Sequence, residues 1–137
     1  MMNRRSLIMT LGALAVAPAA LADGRTIEYT PGVIEDALAD GKTVFVDYYT
    51  TWCSTCRSQE RTVEALRSAN PAYDANMVFV KVDWDEYSGH TVSTSRNIPR
   101  RSTLVLLKGD QELGRIVAGT NKADIKALMD AGLNAAS

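Results

Sequence analysis

Thr43–Tyr49 (TVFVDYY) is an unbroken run of β-branched and aromatic residues. It stops at Thr50-Thr51-Trp52-Cys53 and passes at once into a helical pattern. A run this short and this apolar reads as a strand buried on both faces, which needs partner strands beside it and helices above and below. The helix that follows spans Ser54 to Asn70. Val63, Leu66 and Ala69 recur on one side, while Arg57, Glu60, Arg61, Glu64 and Arg67 form a solvated, salt-bridged face. Pro71 stops it.

The rest of the chain supplies the partners. Met77–Asp83 (MVFVKVD) is a second buried strand, and a crossover helix between the two strands makes them parallel. The polar stretch from Asp85 to Asn97 holds a short helix. Thr103–Lys108 and Glu112–Ala118 read as strands joined by a Gly109-Asp110 turn, an antiparallel hairpin. Thr26–Thr30 reads as an edge strand. After it, Thr30 and Pro31 open a helix with Val33, Ile34, Ala37 and Leu38 on one face, closed by Gly41. Thr120 or Asn121 caps a last helix with Ile125, Leu128 and Met129 inward. The expected fold is α/β, a mixed central β-sheet flanked by helices.

Only two cysteines occur in the 137 residues, Cys53 and Cys56, three positions apart. They cannot crosslink distant segments. At the start of a helix, free backbone N–H groups and the helix dipole favour negative charge, and the thiolate is the attacking species in disulfide exchange. Cys53 is therefore the candidate nucleophile. Cys56, one turn further in, is placed to attack a mixed disulfide at Cys53 and release the partner. A zinc site needs about four ligands, and His90 is the single histidine. A bridge over so small a loop stabilises little.

Trp52-Cys53-Ser54-Thr55-Cys56 resembles the WCxxC of the thioredoxin superfamily. The resemblance runs from about Pro31 to Leu133 and includes Val44-Phe45-Val46-Asp47 before the dithiol, Thr103–Lys108 as the late strand, and Gly119 after it. It implies the thioredoxin fold and a thiol:disulfide oxidoreductase, chiefly a reductase of protein disulfides. Cys56-Arg57-Ser58-Gln59-Glu60 lacks the helix-kinking proline of cytosolic thioredoxins and looks more like the C-terminal domain of periplasmic thiol:disulfide interchange reductases. A membrane reductase as electron donor follows from that resemblance. The alternatives are a module that handles copper or zinc, and a redox-linked chaperone or binding protein.

The resemblance also assigns roles. Asp47, six residues before Cys53, takes the proton of Cys56 through a water, and Lys81 partners it. Trp52 lies over the dithiol in an apolar docking surface for substrate. Ser54 and Thr55 put no histidine between the cysteines, so the dithiol is expected to be moderately reducing, about −270 to −180 mV.

The chain departs from the family at the cis-proline that faces the dithiol. Ile98-Pro99 suggests that pair, but counting back from Thr103 places Ser102 in the proline's position and Arg101 before it. Strand register is harder to shift than a loop, so Ser102 is favoured over Pro99. The Arg101–Ser102 bond is then expected to be trans. The serine hydroxyl reaches a cysteine sulfur, and Arg100 and Arg101 place positive charge beside the dithiol.

Residues 1–22 have the layout of a secretory signal. Arg4 and Arg5 are followed by an apolar stretch, Leu7–Val16, and Ala20-Leu21-Ala22 precedes Asp23. The expected organisation is a signal peptide over 1–22 and one thioredoxin-like domain over 23–137, exported to the periplasm and monomeric. Asn3-Arg4-Arg5-Ser6-Leu7-Ile8 leaves the general and twin-arginine routes both open. Removing 1–22 takes away two arginines and no acid, lowering the net charge of −1 by two. No basic stripe points to nucleic acid, and no cofactor is implied.

Overall fold

The computed structural model describes residues 25–136; the expected signal segment lies outside the described residues. The elements run β1 (Ile27–Glu28), α1 (Val33–Ala39), β2 (Thr43–Tyr49), α2 (Ser54–Ala69), α3 (Ala72–Asn76), β3 (Met77–Asp83), α4 (Trp84–Tyr87), α5 (Thr91–Thr94), β4 (Thr103–Lys108), β5 (Gln111–Val117) and α6 (Lys122–Ala136). The sheet order is β1-β3-β2-β4-β5. β1, β3 and β2 are parallel, while β4 runs antiparallel to both β2 and β5. The fold is α/β with a mixed five-stranded sheet between helices.

Strand alternation sorts β2 between two cores. Val44, Val46 and Tyr48 pack with Ile34 and Ala37 of α1 and with Val92 of α5. Phe45 faces Val63 and Leu66 of α2 and Ile125, Leu128 and Met129 of α6. Asp47 therefore shares the face of Phe45, under α2, at the centre of the sheet opposite Lys81 on β3 and Leu104 on β4.

Three local readings are corrected. α1 begins after Gly32, whose φ of 97° admits a glycine readily, rather than at a Thr30 cap. Thr30 instead accepts the Val33 N–H through its carbonyl at 3.1 Å. Pro71 ends α2 and also starts α3, a five-residue helix too short to show periodicity, anchored by buried Tyr73 donating to Asp130 at 2.5 Å. The stretch after β3 holds two helical turns, α4 and α5, instead of one. His90 caps α5, its Nδ1 accepting the Val92 N–H at 3.0 Å.

Candidate active site

β2 delivers the chain to the C-terminal edge of the sheet, and α2 starts there with Cys53 as its N-cap. The Cys53 sulfur accepts the Cys56 backbone N–H at 3.2 Å, which satisfies one of the helix's free donors. Both cysteines are free. Cys53 is 4% exposed and Cys56 2%. The nucleophile is thus nearly as enclosed as its partner.

Ser102 provides the enclosure. Its hydroxyl lies 3.0 Å from Cys56 Sγ and 3.2 Å from Cys53 Sγ, and the residue is fully buried. No cis peptide bond occurs among the described residues, so Arg101–Ser102 is trans. Ser102 instead takes a φ of 61°, a left-handed conformation costing an L-residue about 1–2 kcal/mol. Three hydrogen bonds hold it there. Ser102 N–H donates to the Tyr48 carbonyl at 2.7 Å, and its own carbonyl accepts Ala118 N–H at 2.8 Å and Gln59 Nε2 at 2.9 Å. Pro99 is exposed in the preceding loop. The candidate role of Pro99 at the dithiol is therefore corrected: Ser102 stands there, because the β2–β4 register fixes the residue just before Thr103.

The two thiols are electrostatically unlike. Burial pushes Cys53 up, but hydrogen bonds from the Cys56 thiol, the Ser102 hydroxyl, the Cys56 backbone N–H and Arg101 outweigh it and bring Cys53 down to about 6. Burial, reinforced by the hydrogen bond with Cys53, raises Cys56. One sulfur is poised as a thiolate while the other holds its proton.

Arg101 lies with its guanidinium 4.3 Å from the centre of the Trp52 ring, a cation–π stack. Trp52 is 56% exposed, so it forms surface beside the dithiol rather than core. Its Nε1 donates to Asp85 at 2.8 Å, which fixes the ring's tilt.

Asp47 sits behind the dithiol. Burial is the main cause raising its carboxyl to about 7, with Glu60 adding to the rise and Lys81 opposing it. Its Oδ1 is buried without a hydrogen-bond partner. It borders a cavity of about 20 Å³ lined also by Glu60 and Lys81, enough for one water. Lys81 does not bond Asp47 directly. Its ammonium pairs with Glu60 at 3.3 Å and lies 4.2 Å from the Tyr49 ring centre.

Two site residues escaped the sequence reading. Gln59 is fully buried and donates to the carbonyls of Ser102 and Gly119, both at 2.9 Å, clamping two loops to α2. Its signal was spacing: it lies three residues after Cys56 and four before Val63, on the buried stripe of the helix. Glu60 was assigned to the solvated face yet reaches Lys81 and the Asp47 cavity. Among the described residues, no group of three or more His, Cys, Asp or Glu side chains is arranged to hold a metal.

The thioredoxin family model matches residues 26–131. Thioredoxin from Echinococcus granulosus is 31% identical over 98 residues, covering 72% of this chain and 85% of the relative. Thioredoxin-1 of Saccharomyces cerevisiae is 33% identical over 97 residues, covering 71% and 87%. The crystal structure of Trxlp from Edwardsiella tarda superposes with a TM-score of 0.64 at 31% identity, covering 77% of this chain and 96% of that one. A family match over most of the chain, together with this breadth of similarity in sequence and fold, leads to one conclusion: the chain belongs to the thioredoxin family and is a thioredoxin-type thiol oxidoreductase with two neighbouring cysteines, Cys53 and Cys56.

Proposed function

We propose that this oxidoreductase is exported to the periplasm, where as a monomer it reduces disulfides of other proteins and is recharged by a membrane-bound reductase. The observation that carries the reading is the asymmetry of the dithiol: Cys53 drawn down to about 6 beside a Cys56 held protonated. A nucleophilic thiol near 7 accompanies a potential of about −270 mV in thioredoxin, and one near 3.5 accompanies about −120 mV in the strong oxidant DsbA. Ser54 and Thr55 leave no histidine between the cysteines to stabilise the thiolate further, which supports a dithiol nearer the reducing end. Export rests on the n-region, apolar stretch and small-residue site of residues 1–22.

The test is equilibration with glutathione followed by reduction of a model protein disulfide. The reading expects a potential of about −270 to −180 mV, reduction lost in Cys53→Ser, and a stable mixed disulfide on Cys53 in Cys56→Ala. A potential near that of DsbA would make the protein an oxidant.

A further inference from the structure

Lys81 lies opposite Asp47 in the β2–β3 register, on the same face of the sheet. Neighbouring strands are about 4.8 Å apart, and a lysine carries its ammonium on a flexible four-carbon stem. Nothing in the backbone therefore keeps Lys81 from closing onto the carboxyl, yet it does not. Its ammonium stands 3.3 Å from a Glu60 carboxylate oxygen and 4.2 Å from the centre of the Tyr49 ring. Asp47 is left buried with Oδ1 unpartnered, beside a water-sized cavity that Glu60 and Lys81 also line. Resting on the oxidoreductase reading, we propose that Glu60 is a positioning residue: it holds the Lys81 ammonium off Asp47, so that the carboxyl behind the dithiol stays free to take up and release the proton of Cys56.

An ion pair with Lys81 would fix Asp47 as a carboxylate, and a paired carboxylate is a poor proton acceptor. Glu60 offers the ammonium a site nearer water. The Lys81 and Glu60 side chains are 24% and 37% exposed, so the cation stays where its desolvation costs less. The charged groups facing Asp47 are Glu60 and Cys53 from α2, Lys81 from β3 and Glu28 from β1, while β4 presents Leu104. Glu28 is engaged by the Tyr49 hydroxyl at 2.5 Å. Glu64 and Arg67 line the same cavity, with Arg67 paired to Asp74 at 2.6 Å. Burial does most to raise the Asp47 carboxyl to about 7, Glu60 adds to the rise, and Lys81 opposes it even from its present place.

The step it serves is resolution of the mixed disulfide. Cys56 holds its proton until then, burial having raised it. Cys56 Sγ bonds to Cys53 Sγ, in line with the bond from Cys53 to the partner sulfur. That bond breaks, and its electron pair leaves on the partner sulfur, which takes a proton from solvent. The Cys56 proton goes to the Asp47 carboxylate and from there to solvent. Over both steps the dithiol is oxidised by two electrons and the partner disulfide is reduced by two. Cys53 is bonded to the partner at this stage, so its own titration does not enter the rate.

Two measurements on wild type, Glu60→Gln, Lys81→Met and the double variant test it. The Asp47 carboxyl is titrated by carbon-13 NMR in the disulfide form, where neither thiol titrates, with Asp47→Asn identifying its signal. Glu60→Gln is expected to lower the midpoint by about one unit or more, and Lys81→Met to raise it. With Lys81 already replaced, the shift from Glu60→Gln should fall below half its size. The reduced proteins are then reacted with excess glutathione disulfide between pH 5 and 9, and decay of the Cys53–glutathione intermediate is followed by acid quench and mass spectrometry. The decay rate should rise with pH along the Asp47 titration. Glu60→Gln then resolves about fivefold faster than wild type at pH 6, and no faster at pH 8. An unmoved Asp47 midpoint, or the same shift with and without Lys81, would remove Glu60 from the control of Lys81. A shifted midpoint with an unshifted rate profile would separate Asp47 from resolution and overturn the proposal. A wild type that forms no intermediate and releases no glutathione sinks the oxidoreductase reading itself; one that turns over while the variants fail these expectations sinks this inference alone.

Discussion

Gln59 holds Ser102 from behind: its Nε2 donates to the Ser102 carbonyl at 2.9 Å while the hydroxyl of the same serine faces the two sulfurs. The helix that begins with the dithiol thus also positions the loop that closes over it. Gln59→Leu keeps the volume and removes the donor, leaving the Gly119 carbonyl without that bond. Urea unfolding is expected to show a loss of about 1–3 kcal/mol, and Cys53 alkylation at pH 7 should slow as the Ser102 hydroxyl shifts. Unchanged stability would mean that the clamp contributes nothing net.

The thiols should titrate apart. Iodoacetamide labelling of Cys53 is expected to rise with a midpoint near pH 6, while Cys56 labels only above the ordinary thiol range. For stability the signs differ. A lowered Cys53 favours the reduced fold above the unfolded thiol value, and that contribution is lost as pH falls through about 6. A raised Cys56 works the opposite way, disfavouring the fold as pH rises. Faster labelling of Cys56 than of Cys53 would reverse the roles.

Asp47→Asn should stabilise the protein at high pH and not at low pH. The wild-type carboxyl is raised from 3.8 to about 7, so the fold holds a proton that the unfolded chain has released. Stability contributed by the neutral form is present below the unfolded value and is lost as pH rises through about 7. The asparagine variant removes this loss, a gain on the order of 4 kcal/mol above pH 8 at about 1.4 kcal/mol per unit between 3.8 and about 7. Thermal melts at pH 4 and pH 8 check it, and equal gains at both would show that ionisation is not the cause. Slower turnover at neutral pH in the same variant would support a part for Asp47 in proton transfer through the water-sized cavity.

Arg101→Gln removes the cation from the Trp52 face and from beside Cys53. The Cys53 labelling midpoint should rise slightly, since Arg101 contributes least among the hydrogen bonds that hold this thiol down. Reduction of disulfides flanked by acidic residues should slow more than reduction of those flanked by basic ones. Equal slowing would remove Arg101 from partner selection.

Expression of the whole chain in a Gram-negative host should yield a periplasmic product beginning at Asp23 by mass spectrometry. A product still carrying residues 1–22 would point to an anchor.

Much of the fold was legible because apolar periodicity is a local property. TVFVDYY, MVFVKVD and TLVLLK announce buried strands in their own composition, and β4 has the bounds read for it, Thr103–Lys108. The short helices α3, α4 and α5, of four or five residues, carry too few turns to repeat a pattern. The dithiol was legible because two cysteines at one spacing leave few alternatives. The position of Ser102 was legible because register propagates backward from a strand.

What the sequence by itself determined is the strand–dithiol–helix junction, the mixed sheet, and the serine standing where the family has a proline. Only the tertiary structure decided what surrounds them. Ser102 comes from 46 residues beyond Cys56 to bridge both sulfurs, Gln59 turns inward to clamp it, and Glu60 draws Lys81 from Asp47. Those contacts depend on how α2 is rotated against β3 and β4. That rotation is set by packing Val63 and Leu66 against Phe45, Phe79 and Leu104, a three-dimensional fit that one-dimensional periodicity does not encode.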